Sequence, residues 1–525
     1  MNTPRLLLLL LAFAALARGA ERPNIVLILL DDLGYGDVSA NHPEGRIRTP
    51  QMDRIAREGI RFTDAHTPSS VCTPTRYGLL TGRYNWRTRL QQGVLGGLSP
   101  RLIEPGRDTL ASLLRRAGYR TTAVGKWHLG MDWARLPGKE VNVLGIESAA
   151  QAWNVDYARP IANGPLSVGF DRYFGIAASL DMVPYTFIEN DRVTVLPTIE
   201  RTWPLHPGHP GECRTGPAAP GFEVEHVLPE FTRQAVATIE AGAASGQPFF
   251  LYLPLASPHT PIAPNPPWKG RSGLNLYADF VLETDDAIGR VLATLDRTGT
   301  AANTLVILTS DNGCSPQARI EELAAQGHAV NGPLRGHKAD LFDGGHRVPF
   351  LVRWPARVRP AVSDQLVCLT DVFATCAEIV GARLPDEAGE DSFSFLPVLE
   401  GRGASARESI VHHSISGAFA VRRGAWKLAL SPGSGGWSAP RDPEARQQGL
   451  PETQLYRIGA GDLGERENVA ARHPEVVTRR APASRGSGAE HAGSPAGQRG
   501  ARRAAQADPG AGGEGEAQVL SAGPP

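Results

Sequence analysis

From Asn24 to Leu30 the chain reads Asn-Ile-Val-Leu-Ile-Leu-Leu and then meets two adjacent acids, Asp31 and Asp32. An apolar run this short is too brief for a core helix, and its branched residues fit a strand buried on both faces, as in a parallel sheet. Comparable runs recur at Phe249–Leu253, Thr304–Leu308 and Val348–Val352. Apolar residues at helical spacing fall between them, over Thr109–Ala117, Phe231–Ala241 and Ala278–Thr298. Strands alternating with helices predict a large α/β domain, a mostly parallel sheet with helices on both faces.

At 525 residues the chain exceeds the usual limit of a single core, and 41% hydrophobic residues supply enough apolar material for a large one. From about Gly401 the pattern changes. Phe419–Leu428 reads as two short strands across a turn, so we assign residues 22–400 to the main domain and 401–475 to a small α+β subdomain. Beyond residue 479 the sequence is rich in Ala, Gly, Arg and Pro and lacks aromatics. Residues 480–525 therefore read as a disordered tail, since they cannot bury enough surface to offset chain entropy. The abrupt change fits a natural tail or a frame error in GC-rich coding sequence.

Lys and Arg total 54, as do Asp and Glu, giving zero formal charge. No global field recruits nucleic acid or an anionic membrane, so specificity must be local. Residues 1–20 read as an export signal: Arg5, the run Leu6–Leu11, and an A-x-A site at Ala15-Leu16-Ala17. The expected location is periplasmic or secreted, with no stable membrane anchor. Five cysteines stand at 72, 213, 314, 368 and 376; none form a metal-type pair, and four would remain for disulfides if one serves chemistry.

Two of the buried runs end in acids. The first gives way to Asp31-Asp32 and the run at 304–308 to Ser310-Asp311-Asn312-Gly313. Ligand sites of open α/β sheets gather at the carboxyl ends of strands. Three carboxylates and an amide there would form an all-oxygen cage for calcium or magnesium. The alternative is that these residues only cap turns or helices.

Two longer motifs accompany the acids. One is Cys72-Thr73-Pro74-Thr75-Arg76 with Leu79-Leu80-Thr81-Gly82 downstream, and the other spans Gly118 to Gly130 through Gly125-Lys126-Trp127-His128. Ser257-Pro258-His259-Thr260-Pro261 and Gly336-His337-Lys338 lie further along the chain. In these residues the chain resembles the type I sulfatases of the alkaline-phosphatase superfamily, over roughly residues 22–475. The resemblance implies an alkaline-phosphatase-like fold and hydrolysis of sulfate monoesters. It also implies a Cys72 that a separate formylglycine-generating enzyme oxidises to formylglycine. Thr75 stands where Ser is usual, outside the minimal C-x-P-x-R pattern.

The same resemblance, with side-chain chemistry, implies roles. Asp31, Asp32, Asp311 and Asn312 would hold one Ca2+, with the oxygen at position 72 completing the cage. Arg76 would orient the formylglycine hydrate and Lys126 would bind sulfate oxygens. His128 would be the base for the elimination step, and His259 and Lys338 would contact the bridging oxygen. A thiol is a poor nucleophile here, because attack would leave a thiosulfonate with no internal escape; an aldehyde hydrate has a second hydroxyl for that purpose. Ser179 and Asp181 fall where family members place pocket residues. His42, His66, His337 and His346 read as solvated surface groups. The substrate would be a sulfated small molecule or saccharide. Phosphonate or phosphate monoester hydrolysis, or anion binding without catalysis, are the alternative functions.

Overall fold

The computed structural model describes residues 22–458 and 461–480; the stretch read as an export signal and the tail beyond residue 480 lie outside them. The opening apolar run becomes β1 (Asn24–Leu30), with its six apolar residues fully buried. It sits inside a sheet with β2 (Ile60–Phe62), β3 (Arg120–Lys126), β4 (Arg172–Ile176), β5 (Ile188–Glu189), β6 (Arg192–Val193), β7 (Phe249–Pro254), β8 (Thr304–Ser310), β9 (Phe350–Arg353) and β10 (Ala361–Ser363). The spatial order is β10-β2-β9-β8-β1-β7-β3-β4-β5-β6.

The five central strands, β8, β1, β7, β3 and β4, are parallel to one another. Antiparallel pairs lie toward both edges, β8 with β9 and β9 with β2 on one side, β4 with β5 and β5 with β6 on the other. The run at 348–352, expected as a parallel strand, is thus corrected: it becomes β9, antiparallel to both neighbours. A continuous apolar run reports burial on both faces and carries no information about direction.

Six helices matter for the site and its support: α1 (Pro50–Glu58), α2 (Cys72–Thr81), α3 (Leu110–Arg116), α4 (Val227–Ser245), α5 (Leu276–Arg297) and α6 (Asp371–Ile379). α1 and α4 pack on α5, while α2, α3 and α6 pack together, and both groups lie against the sheet, the predicted sandwich. The predicted helix at 109–117 is α3, whose Thr109 Oγ1 accepts from Ser112 N at 3.1 Å while Ser112 Oγ accepts from Thr109 N at 2.9 Å. This reciprocal cap satisfies two donors that a bare helix start leaves open. The patterns at 231–241 and 278–298 are parts of α4 and α5.

The C-terminal region forms a second, antiparallel sheet of β11 (Ser409–His413), β12 (Phe419–Arg423), β13 (Trp426–Ala429) and β14 (Gln454–Tyr456), in that order. The predicted pair of strands is β12 and β13. Ion pairs fasten this region to the main body: Arg422 to Asp64 at 2.9 Å and Lys427 to Asp343 at 2.7 Å. All five cysteines are free and buried. Among the described residues no helix is long and apolar enough to cross a membrane.

Candidate active site at the strand carboxyl ends

Leu30 of β1 is in register with Ser310 of β8, so the next residues, Asp31 and Asp311, emerge side by side, with Asp311 N donating to Leu30 O at 3.0 Å. Lys126 closes β3, and His259 lies just past the end of β7. Four adjacent parallel strands therefore deliver to one place. Cys72 is the first residue of α2, and Arg76 comes one turn later on the same helix face. Gly82, at φ +64°, ends that helix in a left-handed turn that a side chain would strain.

The structure brings together the residues singled out in the sequence. Arg76 donates through Nε and Nη2 to Asp311 Oδ2 at 3.0 and 2.7 Å, and its Nη2 lies 3.5 Å from Asp31 Oδ1. Lys126 Nζ donates to Asp31 Oδ2 at 2.6 Å. Lys338 Nζ lies 2.9 and 2.7 Å from the two oxygens of Asp32, and His259 Nε2 lies 3.6 Å from Asp32 Oδ2. Asn312 Nδ2 donates to Asp32 Oδ1 at 2.7 Å. All these side chains are buried. A donor atom from each of Asp31, Cys72 and Asp311 lies within 4.8 Å of the others.

Burial raises the Asp31 carboxyl, but Lys126, His259 and Arg76 outweigh it and hold the group well below its ordinary range. Asp311 goes the other way, to about 6, through burial and repulsion from Asp31. Burial raises the Cys72 thiol despite Lys126 and Lys338. The unmodified side chain is therefore a neutral thiol and a weak nucleophile. Burial lowers the Lys338 ammonium, but Asp32 reverses this and raises it overall. Burial, then Lys126 and Arg76, keep His128 uncharged.

His128 Nε2 faces Leu95 O at 2.8 Å, and a carbonyl can only accept. The proton is thus on Nε2, and the lone pair of Nδ1, buried without a partner, is free. Asp32 and His128 both have left-handed backbones, at φ +65° and +55°, a conformation that costs a residue with a side chain about 1 kcal/mol or more. Tyr277 of α5 supports Asp32: its hydroxyl lies 2.6 Å from Asp37 Oδ2 and 3.2 Å from Asp32 O. Neither Tyr277 nor the Leu95 carbonyl was legible in sequence, because one sits inside an ordinary amphipathic helix and the other is backbone.

The donor set suits a hard cation. Asp31 Oδ1 and Asn312 Oδ1 are buried oxygens without a hydrogen bond, next to Asp32 and Asp311, and a cation binding oxygen ligands would satisfy them. Ser179 and Asp181 lie just past β4, whose Ile176 pairs with Lys126. Asp181 is also buried; its Oδ2 accepts from Arg214 Nη1 at 2.6 Å, and Ser179 Oγ has no partner. Thr75, in place of the usual Ser, donates its hydroxyl to Ser69 O at 2.9 Å. Contrary to the sequence reading, His66 and His346 do not lie on the surface. Both are fully buried under the C-terminal sheet, with their Nδ1 atoms 3.0 Å apart.

Buried cations paired with carboxylates at the carboxyl ends of a parallel sheet are an arrangement suited to an enzyme for anionic esters. The sulfatase family model matches residues 23–382. An N-acetylgalactosamine-6-O-sulfatase of Bacteroides thetaiotaomicron is 33% identical over 88% of this chain and 92% of its own length. Human arylsulfatase A is 33% identical, covering 91% of this chain and 89% of its own. A solved structure from work on metabolism of multiple glycosaminoglycans by Bacteroides thetaiotaomicron superposes with a TM-score of 0.74 at 33% identity, covering 88% of this chain and 98% of that one. The chain belongs to the sulfatase family of the alkaline-phosphatase superfamily, and it is a sulfuric ester hydrolase.

Proposed function

We propose that this sulfatase is exported and removes sulfate from a saccharide, using an oxidised Cys72 and one calcium ion held by Asp31, Asp32, Asp311 and Asn312. The observation that carries this reading is Cys72 buried at a helix start, within 4.8 Å of the Asp31 and Asp311 carboxylates that Lys126 and Arg76 hold. The saccharide is supported by the N-acetylgalactosamine-6-O-sulfatase relative. The Leu-rich segment at 6–11 supports export. We assign residues 22–400 to the catalytic body and 401–475 to its C-terminal subdomain.

Calcium would supply charge stabilisation at the sulfate, and the hydrated aldehyde at position 72 one hydroxyl for attack and a second for release. The protein's own side chains do the rest. Lys126 binds sulfate oxygens, and Arg76 fixes the carboxylates and orients the group at position 72. Nδ1 of His128 has the free lone pair needed to accept a proton, so His128 is the base of the release step. Lys338, held as an ammonium on Asp32, neutralises charge at the bridging oxygen, and we assign the leaving-group proton to His259. These side chains are buried, and the low-dielectric surroundings strengthen each charge interaction.

The test is sulfate release by protein produced with its maturation enzyme, from 4-nitrophenyl sulfate and from an N-acetylhexosamine 6-sulfate, with 4-nitrophenyl phosphate in parallel. Sulfate release from the sugar supports the reading. Hydrolysis of the phosphate ester alone would favour the phosphate monoester alternative.

A further inference from the structure

Three histidines, none of them part of the strand-end site, meet where the C-terminal sheet covers the main body. His66 ends the two-residue strand Ala65–His66, which pairs with Val367–Cys368. His346 closes the helical turn Asp343–His346, and His412 lies on β11. All three are fully buried. One ring nitrogen from each lies within 4.8 Å of those of the other two.

Each ring spends one nitrogen outward. His66 Nε2 lies 2.9 Å from Asp64 Oδ1 and His412 Nδ1 lies 3.0 Å from Thr67 O, so both nitrogens carry the proton. His346 Nε2 lies 3.0 Å from both Leu341 O and Lys427 Nζ. The buried Leu341 carbonyl has no other donor among the described residues, whereas Lys427 already serves Asp343 and Glu465. A buried carbonyl needs its donor, so this proton too belongs to the ring. The lone pairs of His66 Nδ1, His346 Nδ1 and His412 Nε2 remain. The first two atoms lie 3.0 Å apart with no proton between them, and the third has no partner. Burial lowers all three imidazoles, so a second proton does not fill the gap near neutral pH.

Buried lone pairs without a donor cost free energy unless a Lewis acid accepts them. Two nitrogens each about 2.0–2.1 Å from one ion stand roughly 2.9–3.4 Å apart, which the Nδ1 pair at 3.0 Å matches. Metal-bound histidines almost always donate their other N–H to a carboxylate or carbonyl, as all three do here. His412 stacks on His346 with ring centres 3.8 Å apart, so its Nε2 reaches such an ion by a small turn of the ring. Imidazole nitrogen suits zinc, copper and nickel, whereas calcium takes oxygen ligands. We propose that His66, His346 and His412 bind one first-row transition-metal ion, which staples β11 to the main body. Two ligands come from the body and one from the C-terminal sheet, so the ion adds a bond that neither part makes alone.

The experiment uses the full chain and zinc as the probe. Protein stripped with a chelator is dialysed against zinc in excess calcium, and bound metal is counted by plasma mass spectrometry. The wild type should retain one zinc per chain and unfold at a higher temperature with it than without. His346→Gln and His412→Gln should bind zinc more than roughly 100-fold more weakly, beyond the loss typical of an outer-shell partner. Should either variant fail to fold, cobalt in the wild type decides. Cobalt on few nitrogen ligands absorbs strongly in the visible, and octahedral cobalt on oxygen ligands absorbs weakly. The strong spectrum is the expected one. No zinc retained by the wild type, equal retention by the folded variants, displacement of the zinc by calcium, or the weak cobalt spectrum would overturn the site.

Discussion

At the carboxyl ends of β8, β1, β7 and β3 the chain buries three acids with Arg76, Lys126 and Lys338. Under the C-terminal sheet it buries Asp64, Asp343, Glu465, Arg347, Arg422 and Lys427 with His66, His346 and His412. The two clusters are alike in composition and differ in completeness. Under the C-terminal sheet the charges are matched: Lys427 Nζ sits 2.7 Å from Asp343 Oδ1 and 2.8 Å from Glu465 Oε1, and Asp64 is shared by Arg422 and His66, each at 2.9 Å. At the strand ends, Asp31 Oδ1, Asn312 Oδ1 and His128 Nδ1 have no hydrogen bond. Residual valence of that kind costs free energy in a merely structural cluster, so its presence here supports the proposal that a ligand completes the shell. Among the described residues the seam has two such atoms: Glu465 Oε1, which still lies 2.8 Å from the Lys427 ammonium, and His412 Nε2, within a stack of rings where His346 and His412 lie 3.8 Å apart.

The contrast can be broken from either side. The largest effect is expected at the seam. Lys427→Met leaves Glu465 buried without its cation and Asp343 with Arg347 alone, and should cost about 3–5 kcal/mol of stability. Chemical denaturation would show the loss, while kcat of the protein that remains folded stays near wild type. A large fall in kcat at unchanged stability would mean that the seam takes part in catalysis.

At the strand ends the balance should reverse. Asp311→Asn keeps the shape of the side chain but removes a charge from the proposed calcium set and from Arg76. We expect turnover to fall about 10²–10³-fold, the loss of roughly 2.7–4 kcal/mol typical of a removed electrostatic stabiliser. Calcium at a hundred times its Kd should raise the stability of the wild type by about 2.7 kcal/mol and that of the variant by much less. Equal calcium stabilisation of both proteins would remove Asp311 from the ligand set.

The smallest expected effect concerns acid. Burial lowers His413, on β11, to about 4. Between the unfolded value near 6.5 and about 4, the unfolded chain carries a proton that folded His413 does not. Stability from this residue is therefore lost as pH falls through that window, by about 2 kcal/mol at pH 5. Glu465, raised by burial to about 7, takes up its proton in the folded state first and opposes the loss. The comparison with His413→Gln isolates the histidine: the wild type should lose about 2 kcal/mol more than the variant from pH 7 to 5. Parallel pH curves for the two proteins would show that His413 titrates normally.

The two clusters also differ in how far the sequence disclosed them. The strand-end site was legible because its parts are local: each acid comes directly after an apolar run, and Cys72 and Arg76 share one helical turn. Sheet register then brings separate motifs together without further information. The seam was not legible. Arg422 and Asp64 are 358 residues apart, and neither lies in a run or motif that points to the other. For the same reason His66 and His346 read as surface residues, since a lone histidine carries no sign of what will cover it. β9 shows the corresponding limit for the fold: its apolar run announced a buried strand but not its antiparallel direction.

The central claim is that Cys72 works only after oxidation. Peptide mass spectrometry of position 72, on preparations matured to different extents and assayed in parallel, tests it most directly. The account predicts a residue about 18 Da lighter than cysteine, the mass change of thiol to aldehyde, with turnover proportional to the converted fraction. Full turnover by protein whose Cys72 is wholly unmodified would contradict it.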